Sequence, residues 1–235
     1  MLEEKAMGEP MSDCDKLLIF EKLREATRAW DLREEEYLPV FSMFYYYPTT
    51  CSWELNPEEL DVRYMIWNFK NTLGRTDYYR HATALNKVLE FTKIALRYFF
   101  ANDLPHITFV CVNASSQSAH ERRYKEFSER ICLELGMESA YTKIRVVKDG
   151  TPKHLGKSEQ AVLEVDEEFF RGRNVLLFDD IITSGQSLVR YKRLLATYGA
   201  NVIGALTIGK TMYNRVGGNP IYTIMSSICD IDLPF

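Results

Sequence analysis

The sequence predicts an α/β fold, a parallel sheet with helices on both faces. Two observations carry this expectation. Short, unbroken apolar runs at residues 107–112, 174–178 and 202–208 lack the polar alternation of a strand with one wet face, and suit strands covered on both sides. Segments with helical spacing separate these runs, at residues 117–135 and 188–195, so strand and helix alternate through the second half of the chain. In such sheets ligands bind beyond the carboxyl ends of the strands, which puts chemical interest on the residues that follow each one.

Taken in order, Ser12 or Asp13 can cap a first helix reaching about Leu32. The aromatic stretch 41–53 has no helical period and can contain a strand. Asn56-Pro57-Glu58-Glu59 is a strong helix start, with a cap, a proline in the first turn and acids near the positive end of the dipole. That helix carries Tyr64, Ile66, Trp67 and Phe69 and is expected to stop at Gly74. Thr76 or Asp77 begins another, with Leu85, Val88, Leu89, Ile94 and Ala95 on its buried face. Four strands follow, at 107–112, 143–147, 174–178 and 202–208, with Gly136 and Gly199 ending the helices at 117–135 and 188–198. The expected organisation is a helical, aromatic-rich extension at 1–75, a core at 76–212 and a tail at 213–235.

Composition agrees with a globular protein of one domain plus an elaboration: 235 residues, 46% hydrophobic and 26% charged. A net charge of −4 and a pI near 5.7 give no electrostatic footprint for nucleic acid or membrane. Five cysteines, Cys14, Cys51, Cys111, Cys132 and Cys229, are scattered without a C-x-x-C pair, which suits reduced thiols better than disulfides or a zinc site. The acidic start has no apolar h-region, and no apolar stretch is long enough to span a bilayer, so the expected location is cytoplasmic.

The chemistry concentrates in residues 174–195. An apolar strand runs into two adjacent carboxylates, Asp179 and Asp180. Ile181 and Ile182 follow, then the small turn Thr183, Ser184, Gly185, Gln186, Ser187, and then a helix. A turn of this kind presents unpaired N–H groups at the positive end of a helix dipole, which makes a phosphate site, and glycine lets the backbone approach closely. Two acids beside a phosphate suit what is attached to it, either vicinal sugar hydroxyls or a metal. Neither a P-loop nor G-x-G-x-x-G occurs. The run therefore reads as a site for a phosphorylated sugar, against the alternative of an acidic turn with helix-capping hydroxyls.

This run resembles the 5-phosphoribosyl-1-pyrophosphate (PRPP) signature of the type I phosphoribosyltransferases: four or so apolar residues, two acids, two apolar residues, then Thr-Ser/Thr-Gly. The resemblance implies that family's parallel-sheet core with an amino-terminal hood. It also implies that Asp179 and Asp180 hold the ribose hydroxyls as the catalytic pair while Thr183, Ser184, Gly185, Gln186 and Ser187 wrap the 5-phosphate. Members that act on hypoxanthine and guanine carry an acid where this chain has Thr183, so a 6-oxopurine acceptor of that kind is not expected.

A second small turn, Asn113-Ala114-Ser115-Ser116, follows the strand at 107–112 and opens a helix. In the family a loop at this place binds pyrophosphate, which assigns Asn113, Ala114 and Ser115 to that role. Arg122 and Arg123 lie on the following helix, either as a solvated face or as a clamp on pyrophosphate. The loop 147–157 is rich in Gly, Pro and Thr, and carries Lys153, His154 and Lys157. It is either a solvated loop or a lid whose cations cover pyrophosphate, as loops of this kind do in the family.

Ile66-Trp67-Asn68-Phe69-Lys70, Arg122-Arg123-Tyr124-x-x-Phe127 and Thr151-Pro152 with Leu155 are similar to the ComF-like, amidophosphoribosyltransferase-related branch. The chain lacks the amino-terminal zinc-binding cysteines of many ComF proteins, and Asn113-Ala114-Ser115 replaces their Pro-containing loop. The resemblance implies transfer of a 5-phosphoribosyl group from PRPP to a nitrogen acceptor. Mg²⁺ would bridge pyrophosphate and ribose without direct protein ligands, and a homodimer is possible. The alternative is a PRPP- or nucleotide-sensing regulator that keeps the fold without turnover. Acceptor specificity is expected from Phe44, Tyr45, Tyr46, Tyr47 and Trp67 as an aromatic hood, unless these rings form a hydrophobic contact.

Overall fold

Alternation with period two sorts the side chains of the central strands into two apolar layers, one on each face of a sheet. The computed structural model describes residues 38–150 and 161–229. The helix expected from Ser12 or Asp13 to Leu32, Cys14, and Lys153, His154 and Lys157 of the expected lid lie outside the described residues. In chain order the described elements are β1 (Val40–Tyr46), α1 (Pro57–Phe69), α2 (Tyr78–Phe100), β2 (Ile107–Cys111), α3 (Gln117–Leu135), β3 (Glu138–Ser139), β4 (Ile144–Lys148), β5 (Val162–Val165), α4 (Glu167–Phe170), β6 (Asn174–Ile182), α5 (Gln186–Thr197), β7 (Asn201–Thr211) and α6 (Pro220–Cys229).

Five strands form one sheet in the order β1-β7-β6-β2-β3, and every neighbouring pair is parallel. Phe109, Leu176, Phe178 and Ile208 face a layer completed by Ile66 of α1, Leu85 of α2, Phe127 of α3 and Ile221 of α6. Val110, Val175 and Leu177 face the opposite layer, where Leu188, Tyr191 and Leu195 of α5 and Phe170 of α4 pack. The expected α/β architecture with helices on both faces is thus present.

The helix starts follow the local chemistry. Asn56 caps α1 through a reciprocal box, its Oδ1 accepting from the Glu59 N–H and the Glu59 carboxylate accepting from the Asn56 N–H, each at 2.9 Å. Asn56→Ala should lower stability by about 1 kcal/mol in a denaturant titration, because the Glu59 N–H loses the side-chain oxygen that caps it. α1 ends at Phe69, five residues before the glycine expected to stop it, and Lys70 is its C-cap. That early end delivers Lys70 to the carboxyl edge of the sheet.

Three expectations are corrected here. The segment expected as a strand of the parallel sheet at 143–147 is β4, which pairs antiparallel with β5 in a separate ribbon. Ile144 and Val146 are buried while Arg145 and Val147 are not, the pattern of a half-covered strand. The aromatic stretch, expected either as a hood or as a hydrophobic contact, supplies β1, an edge strand of the main sheet, and its buried rings take the second of these places. Phe44 is 1% and Tyr47 3% exposed, so these rings belong to the interior. Tyr45 and Tyr46 are half-buried, and Trp67 alone of the five stays open, at 38%. The strand expected to end at Phe178 continues to Ile182, so the acid pair lies within β6 near its carboxyl end. Within the segment expected as a tail, α6 sends Ile221 and Ile224 into the first apolar layer.

Candidate phosphosugar site at the carboxyl edge

β6 carries the acid pair to the carboxyl edge of the sheet, and the ladder to β7 sets Asp179 opposite Thr207. The chain then turns through Thr183 and Ser184, both exposed, to Gly185, which is buried with φ +71° in the left-handed region. Gly185 is the N-cap of α5 and supplies no side-chain acceptor, so no cap side chain occupies the first N–H groups of this helix. The hydroxyls of Thr183 and Thr211 meet at 2.8 Å and fix the turn to the end of β7. A helix start without a side-chain cap is a place where an anion can bind.

The turn after β2 is built differently. Ser116 Oγ accepts from the Ala119 N–H at 3.2 Å, and the Asp149 carboxylate accepts from the Gln117 N–H at 3.3 Å, so the protein's own acceptors partly fill the start of α3. Asn113 is held from α5: its N–H donates to the Tyr191 hydroxyl at 2.9 Å, and that hydroxyl donates to Asn113 Oδ1. Tyr191 is fully buried and so locks the two turns together. Asn113 Nδ2 has no hydrogen-bond partner among the described residues.

A cavity of about 1540 Å³ opens between these turns and the α1–α2 connection. Its wall includes Asp179, Asp180, Asn113, Ala114, Ser115, Arg122, Arg123 and Ser187, so the structure gathers both acids and the whole expected pyrophosphate set. Of the expected phosphate loop, Ser187 reaches the wall, while Thr183, Ser184 and Gln186 are exposed outside it. Gly150 and Ala161, which flank the segment expected as a lid, also line the cavity. Six cationic side chains (Lys70, Arg75, Arg80, Arg122, Arg123 and Arg190) face two carboxylates on this wall, a balance suited to a ligand with several negative charges.

The two acids are not equivalent. Asp180 is 5% exposed, and its Oδ2 meets Arg123 Nη1 at 2.5 Å while its Oδ1 lies 3.6 Å from Lys70 Nζ. Burial acts to raise its pKa, but Lys70 and Arg123 hold it below the ordinary value. Asp179 Oδ1 accepts from the Asp180 N–H at 2.8 Å and from the Tyr124 hydroxyl at 3.3 Å. Burial and the Asp180 charge push Asp179 up to about 7. Burial and the two carboxylates likewise raise the Tyr124 phenol, which stays a neutral donor.

Arg75, Arg80 and Arg190 line the cavity without being singled out in the sequence, and Lys70 is quoted there only within the Ile66–Lys70 motif, without a site role. Arg190 was within reach, since it lies three positions after Ser187 on the same helix and so shares its face. Lys70 depends on where α1 ends, and no sequence pattern marks that point.

Fold and site together define an α/β protein with a cation-rich cavity around two adjacent carboxylates at the carboxyl edge of its sheet. Residues 78–229 match the family model of the phosphoribosyl transferase domain, and the chain belongs to that family. No curated protein matches the sequence. Similar solved structures include an adenine phosphoribosyltransferase, at 18% identity and TM-score 0.40, covering 57% of this chain and 73% of that one. An orotate phosphoribosyltransferase from Aeropyrum pernix aligns at 15% identity and TM-score 0.32, covering 66% and 82%. A hypoxanthine-guanine phosphoribosyltransferase from Bacillus anthracis aligns at 17% and 0.32, covering 55% and 76%. The family assignment rests on the domain match.

Proposed function

We propose that this protein transfers a 5-phosphoribosyl group from PRPP to a nitrogen acceptor and releases pyrophosphate. The observation that carries the reading is the convergence on one edge of the sheet of an uncapped helix start at Gly185, the carboxylates of β6 and a cavity wall rich in cations. The 5-phosphate would sit at the start of α5, the ribose over the acid pair, and pyrophosphate between the Asn113 turn and Arg122. Negative charge beneath the sugar favours the positive character that develops at its C1 as pyrophosphate departs. Lys153, His154 and Lys157 would add cations from the segment that begins and ends at the cavity.

Mg²⁺ belongs to this reading as a cation carried by pyrophosphate. Among the described residues no group of three or more His, Cys, Asp or Glu side chains converges, and Asp180 is already neutralised by protein cations. The donor set therefore suits an ion held mainly by substrate oxygens, which would screen charge on the leaving group.

The exposed side of Trp67, held by a 3.1 Å hydrogen bond from its Nε1 to the Tyr46 hydroxyl and packed edge-on against Tyr64, offers an aromatic wall for the acceptor. The test is incubation with PRPP, Mg²⁺ and a panel of bases and amines, following pyrophosphate. Acceptor-dependent release is expected. Tight PRPP binding with no release under any acceptor would favour the sensing regulator instead.

A further inference from the structure

We infer that Arg123, with Lys70, commits Asp180 to the protein's own ion cluster, so that Asp179 is the carboxylate offered to the ribose hydroxyls. Arg123 is then a positioning residue for the acid pair and not a pyrophosphate ligand. This rests on the phosphoribosyl reading of the site and divides roles that the sequence motif assigns jointly.

The geometry separates the two acids. Both oxygens of Asp180 face protein cations, Arg123 at 2.5 Å and Lys70 at 3.6 Å, and the Asp180 side chain is only 7% exposed. The Arg123 side chain is 18% exposed and its guanidinium lies 5.5 Å from the Tyr124 ring centroid, so it is packed as well as paired. Drawing Arg123 toward pyrophosphate would strand a buried carboxylate, the costly way to break such a pair. Asp179 differs. Its Oδ1 takes two neutral donors, and its Oδ2 has no partner among the described residues, although Asp179 lines the cavity. A free carboxylate oxygen has two acceptor sites, which match a vicinal diol. Arg122 and Arg190 line the same cavity with no ion pair among the described residues, and they are the cations left for pyrophosphate.

Arg123 acts on the ribose through charge. Two adjacent carboxylates cannot both ionise readily unless a cation offsets one of them. With Arg123 in place Asp180 is neutralised and Asp179 can ionise to accept the diol. Without it the pair shares a proton, and Asp179 loses acceptor strength.

Calorimetric titration with two probes tests this. Ribose 5-phosphate carries the diol and phosphate without pyrophosphate, and inorganic pyrophosphate carries no diol. Arg123→Met should weaken ribose 5-phosphate binding by roughly tenfold, the effect of about one pKa unit in the acceptor, while affinity for pyrophosphate stays close to that of the wild type. Arg123→Lys, which keeps the charge, should recover part of the loss. Adding Asp180→Asn to Arg123→Met removes the ion pair whole and relieves the stranded carboxylate. The double variant should therefore fold even if the single one does not, and it should bind ribose 5-phosphate more tightly than Arg123→Met or, where that fails to fold, than Asp179→Asn. The proposal is overturned if Arg123→Met loses pyrophosphate but keeps ribose 5-phosphate. It is also overturned if the double variant binds ribose 5-phosphate as poorly as Asp179→Asn, since Asp180 would then hold the diol itself. A wild-type protein that binds neither probe overturns the phosphoribosyl reading, and this proposal with it.

Discussion

Gly185→Val is expected to abolish detectable binding of ribose 5-phosphate while the protein still folds. Gly185 sits at φ +71°, a conformation that costs an ordinary L-residue roughly 1–2 kcal/mol and a β-branched one more. The backbone would relieve that strain by leaving the left-handed region. The N–H groups at the start of α5 would then no longer converge on one point, and a phosphate held by several of them together would lose them together. Gly185→Ala separates strain from bulk, since it keeps the turn accessible at a cost of about 1 kcal/mol. It should weaken binding without abolishing it. Calorimetry with ribose 5-phosphate, beside a thermal melt of each variant, reads both effects. Normal binding by a folded Gly185→Val protein would place the phosphate elsewhere.

The strand–turn–helix order around Gly185 is legible because it is local: an apolar strand, acids, a small turn and a helix follow one another within about twenty residues. The same holds for the capping box at Asn56, and for Gly136, which ends α3 with φ +68°. Legibility fails where position depends on what lies across the fold. β3 is two residues long and carries no apolar run, so only its pairing with β2 reveals it. β4 was read as a parallel strand although Arg145 interrupts its apolar positions, and its partner β5 was not read at all.

The aromatic stretch shows a different failure. Phe44 and Tyr47 are as apolar and as large as rings over a ligand would be, and composition cannot tell a hood from a core. The pairing of β1 with β7 decides it by turning those rings inward. The unequal surroundings of the two acids are equally hidden, because the motif presents them as neighbours in sequence while the cations beside Asp180 come from α3 and the end of α1.

Asp179→Asn should bind ribose 5-phosphate roughly 10- to 100-fold more weakly at pH 8, the loss of a charge-assisted hydrogen bond worth about 1.5–3 kcal/mol. The same substitution should make the ligand-free protein more stable at that pH. The sign follows from the pKa of Asp179, which folding raises from an ordinary 3.8 to about 7. Between those values the folded protein holds a proton that the unfolded chain has released, so wild-type stability falls as pH rises through that window. Asparagine does not titrate and removes the fall. The variant should match the wild type in slope below about pH 4 and exceed it in stability above pH 7 by about 2–4 kcal/mol, as the shift implies. Asp180 contributes in the opposite sense and in another window, because its lowered pKa gives stability above the ordinary value that is lost only as pH falls further. Ligand binding should show the same titration from the other side. A hydroxyl donates best to ionised Asp179, so wild-type affinity for ribose 5-phosphate should climb as pH rises through 7. The 2,3-dideoxy sugar phosphate shares the phosphate ionisation but has no diol, and subtracting its pH profile isolates the carboxylate. A site that binds the two sugars in parallel across that range, or an Asp179→Asn protein no more stable than the wild type at pH 8, would show that Asp179 is not the charge the site keeps poised for ribose.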